Sequence, residues 1–269
     1  MVYRLMDCHV HLQDDVFDGD RDRVIERAAE AGVAVFVCNG STPDDWQAVH
    51  ELAKADKRVL PFFGLHPWYV TRYAKTDWLS PLRDHLEGTP SGIGEIGLDR
   101  WIKDFDVDAQ VQAFRAQLRL ARDLHRPVTV HCLRAWGLLL EELQKVAPLP
   151  AGLIVHAFGG AADMVRPLTD LGACLSFAGN VLDPKGRRSR ESLLEVPADR
   201  LLIETDSPDI PPPPGHRVSG KTLPDGRYRN EPVNLPVILE GVASLRNESA
   251  ERLAQSLWDN GQRLLRGLL

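Results

Sequence analysis

The sequence has no run of 18 apolar residues, no excess of positive charge and no cysteine pair at the C-x-x-C spacing. The first absence removes a membrane-spanning helix. The second, 32 basic against 38 acidic residues for a net charge of −6, argues against a protein that coats nucleic acid along its length. The third leaves Cys8, Cys38, Cys132 and Cys174 as buried free thiols in apolar runs. Cys8 and Cys132 adjoin candidate metal ligands, and strict strand alternation predicts that each faces away from them. The opening residues Met1-Val2-Tyr3-Arg4-Leu5-Met6-Asp7 lack the regions of a signal peptide, so a cytoplasmic location is expected. Other signatures are missing too: Gly-x-Gly-x-x-Gly, a phosphate-cradling Walker loop, a Gly-x-Ser-x-Gly elbow and His-Glu-x-x-His. Ser41 and Ser207 come without a recognisable base and read as caps or turn residues.

What the chain does have is 269 residues, 43% of them apolar, enough for one large core. Eight apolar runs recur: Leu5–Leu12, Val33–Asn39, Val59–Leu65, Gly92–Ile96, Pro127–His131, Gly152–His156, Gly172–Phe177 and Leu201–Asp206. Helix-period segments lie between them, including Arg21–Ala31, Asp44–Ala55, Ala109–His125, Trp136–Val146 and Ala161–Leu171. Gly32 and Gly172 stand where a helix-ending glycine belongs. The repeat averages about 28 residues, close to one βα unit. The fold class is therefore α/β, a (β/α)8 TIM barrel, with residues 1–269 as a single unit. A Pro- and Gly-rich loop over 207–231 and helices over 232–269 are expected to pack on it.

A parallel barrel keeps its active site at the C-terminal ends of its strands, and metal-capable residues collect there. Asp7, His9 and His11 alternate along run one and share a face. Glu95, His131, His156 and Asp206 stand at the ends of runs four, five, six and eight. Singly, each has a plain reading: a core histidine bonded to backbone, or a carboxylate capping the next helix. Together, four imidazoles and two carboxylates suit two divalent ions, Mg²⁺, Mn²⁺ or Zn²⁺, with one carboxylate bridging. Such a centre activates water and needs no nucleophilic Ser or Cys. Lys185, Arg187, Arg188 and Arg190 after run seven, and Arg217, Lys221, Arg227 and Arg229 after run eight, are expected as loop cations over the mouth, although charge runs are often no more than solvated surface. Trp68, Trp101 and Trp136 follow strand ends, where they could stack on a base or simply pack.

Eight segments in order resemble the TatD family of metal-dependent hydrolases, within the amidohydrolase-like barrels: Asp7-Cys8-His9-Val10-His11, Gly64-Leu65-His66-Pro67, Gly94-Glu95-Ile96-Gly97-Leu98-Asp99, Gln110-x3-Phe114-x2-Gln117-Leu118, Pro127-Val128-Thr129-Val130-His131, His156-Ala157-Phe158-Gly159-Gly160, Glu204-Thr205-Asp206-Ser207-Pro208 and Asn230-Glu231-Pro232. The resemblance implies one ion on His9, His11, Glu95 and Asp206, and a second on Glu95, His131 and His156. It further implies Asp206 as the base, Glu95 as the bridge, His66 as a substrate or phosphate contact, and Glu204 as a residue that orients the ligands. Family members include metal-dependent deoxyribonucleases, and some are similar to D-aminoacyl-tRNA deacylases. Phosphotriesterase-type barrels share the plan but bridge with a modified lysine, and run four carries Glu95 instead. After His131 many relatives read roughly Cys/Ser-Arg-x-Ala, whereas here Cys132-Leu133-Arg134 moves the arginine one place on. Arg134 and Arg188 are the candidate substrate cations.

The expected function is a binuclear phosphodiesterase that acts on DNA or a nucleotide-containing end, from the 3′ end. An ester or amide hydrolase on the same metals is the second reading, and a non-catalytic metal-binding scaffold the third. The expected partner is an anionic substrate, with no membrane and no obligate protein partner.

Overall fold

The computed structural model describes residues 2–269. Eight strands, β1 (Leu5–Val10), β2 (Val33–Asn39), β3 (Val59–Phe63), β4 (Gly92–Asp99), β5 (Val128–Leu133), β6 (Leu153–Val155), β7 (Ala173–Phe177) and β8 (Leu201–Ile203), form one sheet in sequence order, each pair of neighbours parallel. The helices between them are α1 (Arg21–Glu30), α2 (Trp46–Ala55), α3 (Leu79–Gly88), α4 (Val107–Asp123), α5 (Trp136–Val146), α6 (Val165–Asp170) and α7 (Arg187–Glu195). Two more, α8 (Leu235–Leu245) and α9 (Ala250–Leu264), end the chain. The chain is a TIM barrel, as the eight runs predicted. The segment read as one helix over Ala161–Leu171 divides into a 3-10 turn, Ala162–Met164, and the short α6. Residues 207–231 are not all loop: β9 (Lys221–Thr222) and β10 (Tyr228–Arg229) pair as a small antiparallel ribbon.

Two apolar clusters hold the barrel. In the outer one, strand residues such as Phe36, Phe63, Ile96 and Val130 meet helix residues such as Ile25, Val49, Phe114 and Leu139. In the inner one, Met6, Cys8, Val35, Val37, Leu60, Phe62, Ile154, Cys174 and Leu202 join Trp258, Leu264 and Leu265 from the end of the chain, so α9 stoppers the barrel's lower end. Cys8 thus faces inward, against the expectation from alternation. The reason is an irregularity in β1, which carries one more residue than β2 between the pairs Asp7↔Phe36 and Val10↔Cys38.

No ladder joins β8 to β1 among the described residues. Their seam is closed by single bonds: Asp206 N–H to His9 O (3.0 Å), His11 N–H to Ser207 O (2.8 Å) and Thr205 N–H to Asp7 Oδ1 (2.9 Å).

Helix α4 shows how the sequence places the mouth. Asp106 caps it by accepting from Ala109 N–H, and Val111, Phe114, Leu118 and Ala121 bury its apolar face. Gln110 and Gln117, two turns apart, are buried as well. Gln117 pairs with both backbone groups of Leu65, and Gln110 with both of Asp99. One helix therefore fixes the ends of two strand–loop junctions, beside His66 and at Asp99. Gly97, at φ +151°, lets β4 pass β5, because a Cβ there would lie 1.9 Å from His131 O.

Candidate metal centre

Glu95 stands at the middle of the mouth, 4% exposed. Its Oε2 lies 3.3 Å from His9 Nε2 and 3.3 Å from His11 Nε2. Its Oε1 lies 2.7 Å from His156 Nε2, 3.0 Å from His131 Nδ1 and 3.2 Å from His66 Nε2. Asp206 Oδ1 is 3.6 Å from both His9 Nε2 and His11 Nε2, and those two nitrogens are 3.1 Å apart. Four donors about 2.0–2.2 Å from a tetrahedral ion stand roughly 3.3–3.6 Å from one another. The imidazole–carboxylate separations of His9 and His11 with Glu95 and Asp206 match that spacing at 3.3–3.6 Å, the two imidazoles are closer at 3.1 Å, and the His131–His156–Glu95 group, at 2.7–3.2 Å, is slightly tighter. The structure thus brings together all six residues expected as ligands.

The outward-facing partners of the imidazoles decide which nitrogen has a free lone pair. His11 Nδ1 faces only an acceptor, Asn39 O at 2.8 Å, so the proton sits there and Nε2 is left as a ligand atom. His156 Nδ1 donates to Glu204 Oε1 (3.3 Å), which also accepts from Ala157 N–H (2.7 Å). His131 is turned the other way: Nε2 donates to Asp99 Oδ2 at 2.9 Å and Nδ1 points at Glu95. His66 differs from all three. Its Nδ1 accepts from Trp68 N–H at 3.2 Å, so its proton is on Nε2, the nitrogen aimed at the cluster. His66 presents a donor there rather than a lone pair, the property expected of a contact to an anionic oxygen.

Burial and charge oppose each other throughout the cluster. Burial brings His9 down to about 3 and also lowers His66. Burial likewise disfavours charge on His11, His131 and His156, but the carboxylates around them win and raise all three: Asp206 and Glu95 for His11, Asp99 and Glu95 for His131, Glu95 and Glu204 for His156. Burial would raise Glu95, yet the surrounding imidazoles hold it well below the ordinary carboxylate range. Asp99, also opposed by burial, is held at about 2 by its hydrogen bonds from His131 and Trp68. The site is therefore built to keep carboxylates ionised in a buried place, the condition for binding cations. Asp7 stands apart: burial pushes it up to about 8, and its oxygens accept from the backbone N–H and hydroxyl of Thr205.

Backbone strain clusters here as well. Arg134, Ala157 and Asp206, each just beyond a strand end, have φ of 56°, 42° and 53°. Sequence reasoning missed Asp99, Gln110 and Gln117. All three stand in the quoted motifs, and the signal available was a carboxamide or carboxylate on the buried side of its element.

The expected loop cations divide between buried or backbone-bound positions and exposed ones. Arg229 is 2% exposed and bound to Asp20 and Glu231, tying the last loop to the start of α1. Arg190 donates to Val181 O and Leu182 O, Arg217 to Pro212 O, and Arg227 pairs with Asp225. Arg187 and Arg188 belong to α7 rather than to a loop, and Arg187 pairs with Glu191 one turn on. Of that group, Arg188 is exposed and outside the ligand cluster, as are Lys185 and Lys221. Trp136 packs edge-on against Phe158, whereas Trp68 and Trp101 are exposed.

Comparison with known proteins gives matches over nearly the whole chain. Residues 6–266 match the family described as TatD related DNase. The chain is 36% identical to the 3′-5′ ssDNA/RNA exonuclease TatD of Pantoea vagans, covering 97% of this chain and 99% of that protein. It is 32% identical to the uncharacterized metal-dependent hydrolase YabD of Bacillus subtilis, covering 97% and 99%. Among solved structures, the TatD homologue YjjV of Escherichia coli superposes with a TM-score of 0.89 at 28% identity over 98% of each chain. The phosphotriesterase homology protein of Escherichia coli, at 15% identity and a TM-score of 0.65 over 98% of each chain, shares the fold.

Proposed function

Because the chain belongs to the TatD related DNase family and is a metal-dependent hydrolase acting on ester bonds, we propose that it is a two-ion phosphodiesterase that shortens single-stranded DNA from the 3′ end. The observation that carries this reading is the division of Glu95: one oxygen faces His9 and His11, the other faces His131 and His156. In this reading His9, His11, Asp206 and Glu95 Oε2 would hold one ion, and Glu95 Oε1, His131 and His156 the second. Two divalent ions, Mg²⁺, Mn²⁺ or Zn²⁺, would bring the pKa of a water toward neutrality and offset the charge that develops on the phosphoryl oxygens.

The chain's own groups do the rest. Asp206 accepts the proton of the attacking water, whose oxygen forms the new bond to phosphorus as the bond to the leaving oxygen breaks. His66 donates from Nε2 to an oxygen of the phosphate, and Glu204 and Asp99 keep His156 and His131 in the ligating orientation. Arg134 and Arg188 supply cations for the nucleotide chain. Residues 1–269 act as one catalytic unit in the cytoplasm, a reducing compartment in keeping with four free thiols.

The test is a metal-depleted preparation given back Mg²⁺, Mn²⁺ or Zn²⁺ and offered end-labelled single-stranded DNA beside a carboxylic ester. Metal-dependent shortening from the 3′ end, lost in Glu95→Ala, is the expected result. Cleavage of the ester with intact DNA would overturn the phosphodiester assignment and leave a carboxylic-ester hydrolase on the same residues.

A further inference from the structure

Tryptophan has the largest apolar surface of any side chain, and leaving it in water forgoes much of the stabilisation its burial gives. Two tryptophans at the barrel mouth are nevertheless open: Trp68 is 49% exposed and Trp101 58%. Phe105 and Leu133, at 37% and 36%, are exposed on the same β4–β5 side. An apolar patch at the rim of a polar site marks a place where something binds.

The patch is tied to the ligand cluster through one carboxylate. Asp99 Oδ2 accepts from Trp68 Nε1 at 2.6 Å and from His131 Nε2 at 2.9 Å. Asp99 Oδ1 accepts from the backbone N–H of Trp101 at 2.6 Å and of Ile102 at 3.2 Å. Trp68 also stands edge-on to His66, with ring centroids 4.9 Å apart. The fifth element is Arg134, whose guanidinium lies 3.7 Å over the Trp101 ring. The displaced arginine after β5 thus has a place, stacked on an aromatic at the mouth.

We propose that Trp68, Trp101 and Arg134 form a stacking platform that receives the unpaired base at the end of a single-stranded nucleic acid. The proposal rests on the phosphodiesterase reading above. Indole faces accept any base, and a cation beside them suits a ligand that carries a phosphate on every unit. A duplex end keeps its base faces occupied by stacking, so the platform selects single strands without selecting sequence. Asp99 fixes both the platform and His131, which sets the seated base in a defined position relative to the scissile phosphate.

The test compares two oligonucleotides of equal length and charge, one natural and one abasic at the 3′ position, with the metal-loaded protein. Binding is followed by fluorescence anisotropy and hydrolysis by KM and kcat. Base stacking of ordinary strength corresponds to roughly 5- to 150-fold in affinity. Wild-type protein is expected to lose that factor in Kd and KM on the abasic end, with kcat little changed. Trp101→Ala is expected to show the same loss on the natural end and no further loss on the abasic one, and Trp101→Phe to recover most of it. Arg134→Gln, which leaves both indoles in place, gives a smaller loss in the same pattern. Since Trp101 and Arg134 lie outside the core, matching Tm values establish that the variants fold. Equal Kd and KM for the two oligonucleotides in a protein that shortens DNA would overturn the platform alone. Hydrolysis of a carboxylic ester without binding or cleavage of either oligonucleotide would overturn the platform together with the reading beneath it.

Discussion

On six of the eight strands, a short step along the chain separates two kinds of interior. Val37, Phe62, Ile154, Cys174 and Leu202 lie in the inner apolar cluster; two residues further along stand Asn39, Gly64, His156, Ser176 and Glu204, and in β1 Cys8 is followed directly by His9. Both levels are buried, so burial alone does not tell a stabilising residue from a functional one. Chemistry does: the lower level meets its neighbours through apolar contact, whereas the upper level carries imidazole, carboxylate, carboxamide and hydroxyl groups.

Substitutions at the two levels should separate activity from stability. At the top, Glu95→Gln removes the charge that faces both donor sets. It should lower kcat/KM on DNA by roughly 10³-fold or more and reduce bound metal, while Tm of the metal-free protein stays within a few degrees of wild type. Calorimetry beside a steady-state assay checks both halves. At the bottom, Leu265→Ala hollows the stopper and should cost about 2–5 kcal/mol in urea unfolding, with kcat of the folded fraction unchanged. A fall in kcat without a fall in stability would show that the lower level also shapes the site.

Asp99→Asn sharpens the contrast within the upper level. An amide nitrogen would face the N–H groups of His131 and Trp68, so the preferred tautomer of His131 should be lost, with a 10- to 100-fold loss of metal affinity or activity. Isothermal titration with Zn²⁺ measures it. The smallest effect lies away from both levels, where Arg229 holds Asp20 below its ordinary pKa. The folded-state value is the lower one, so the stabilisation is whole above the ordinary carboxylate range and disappears as pH falls through the lowered value. Asp20→Asn should therefore flatten the acid limb of a stability–pH curve by less than about 1 kcal/mol, Asp20 being partly exposed, and change nothing at pH 7 in kcat.

Much of this was legible in the sequence because barrel strands buried on both faces read as continuous apolar runs, and because His9, His11, Glu95, His131, His156 and Asp206 all stand near run ends. Cys8 was misplaced because the extra residue in β1 leaves no mark on composition. Arg229 was misread because its partner is invisible to a pattern search: Asp20 is 209 residues away, unlike Glu191, which lies one turn from Arg187. The tautomers of His66 and His131 depend on Trp68 N–H and Asp99, on which no spacing rule bears. Helix α4 lay between the two: its apolar stripe was plain, while the glutamines on its buried side acquire meaning only once the strand ends they grip are in place.

The seam between β8 and β1 gives the two donor sets different support from the chain. His131 and His156 ride on adjacent strands, β5 and β6, joined by a ladder. His9 and His11 meet Asp206 across a junction of single bonds, with 194 residues of chain between His11 and Asp206. In synthesis from the N-terminus β5 and β6 precede Asp206, so the set that includes Asp206 is the last whose residues are all present. A gap opening at the seam would separate that set and leave the β5–β6 pair in place. The one junction of the barrel closed without a ladder among the described residues thus lies at Asp206, and activity is expected to be lost at lower denaturant than the bulk of the fold.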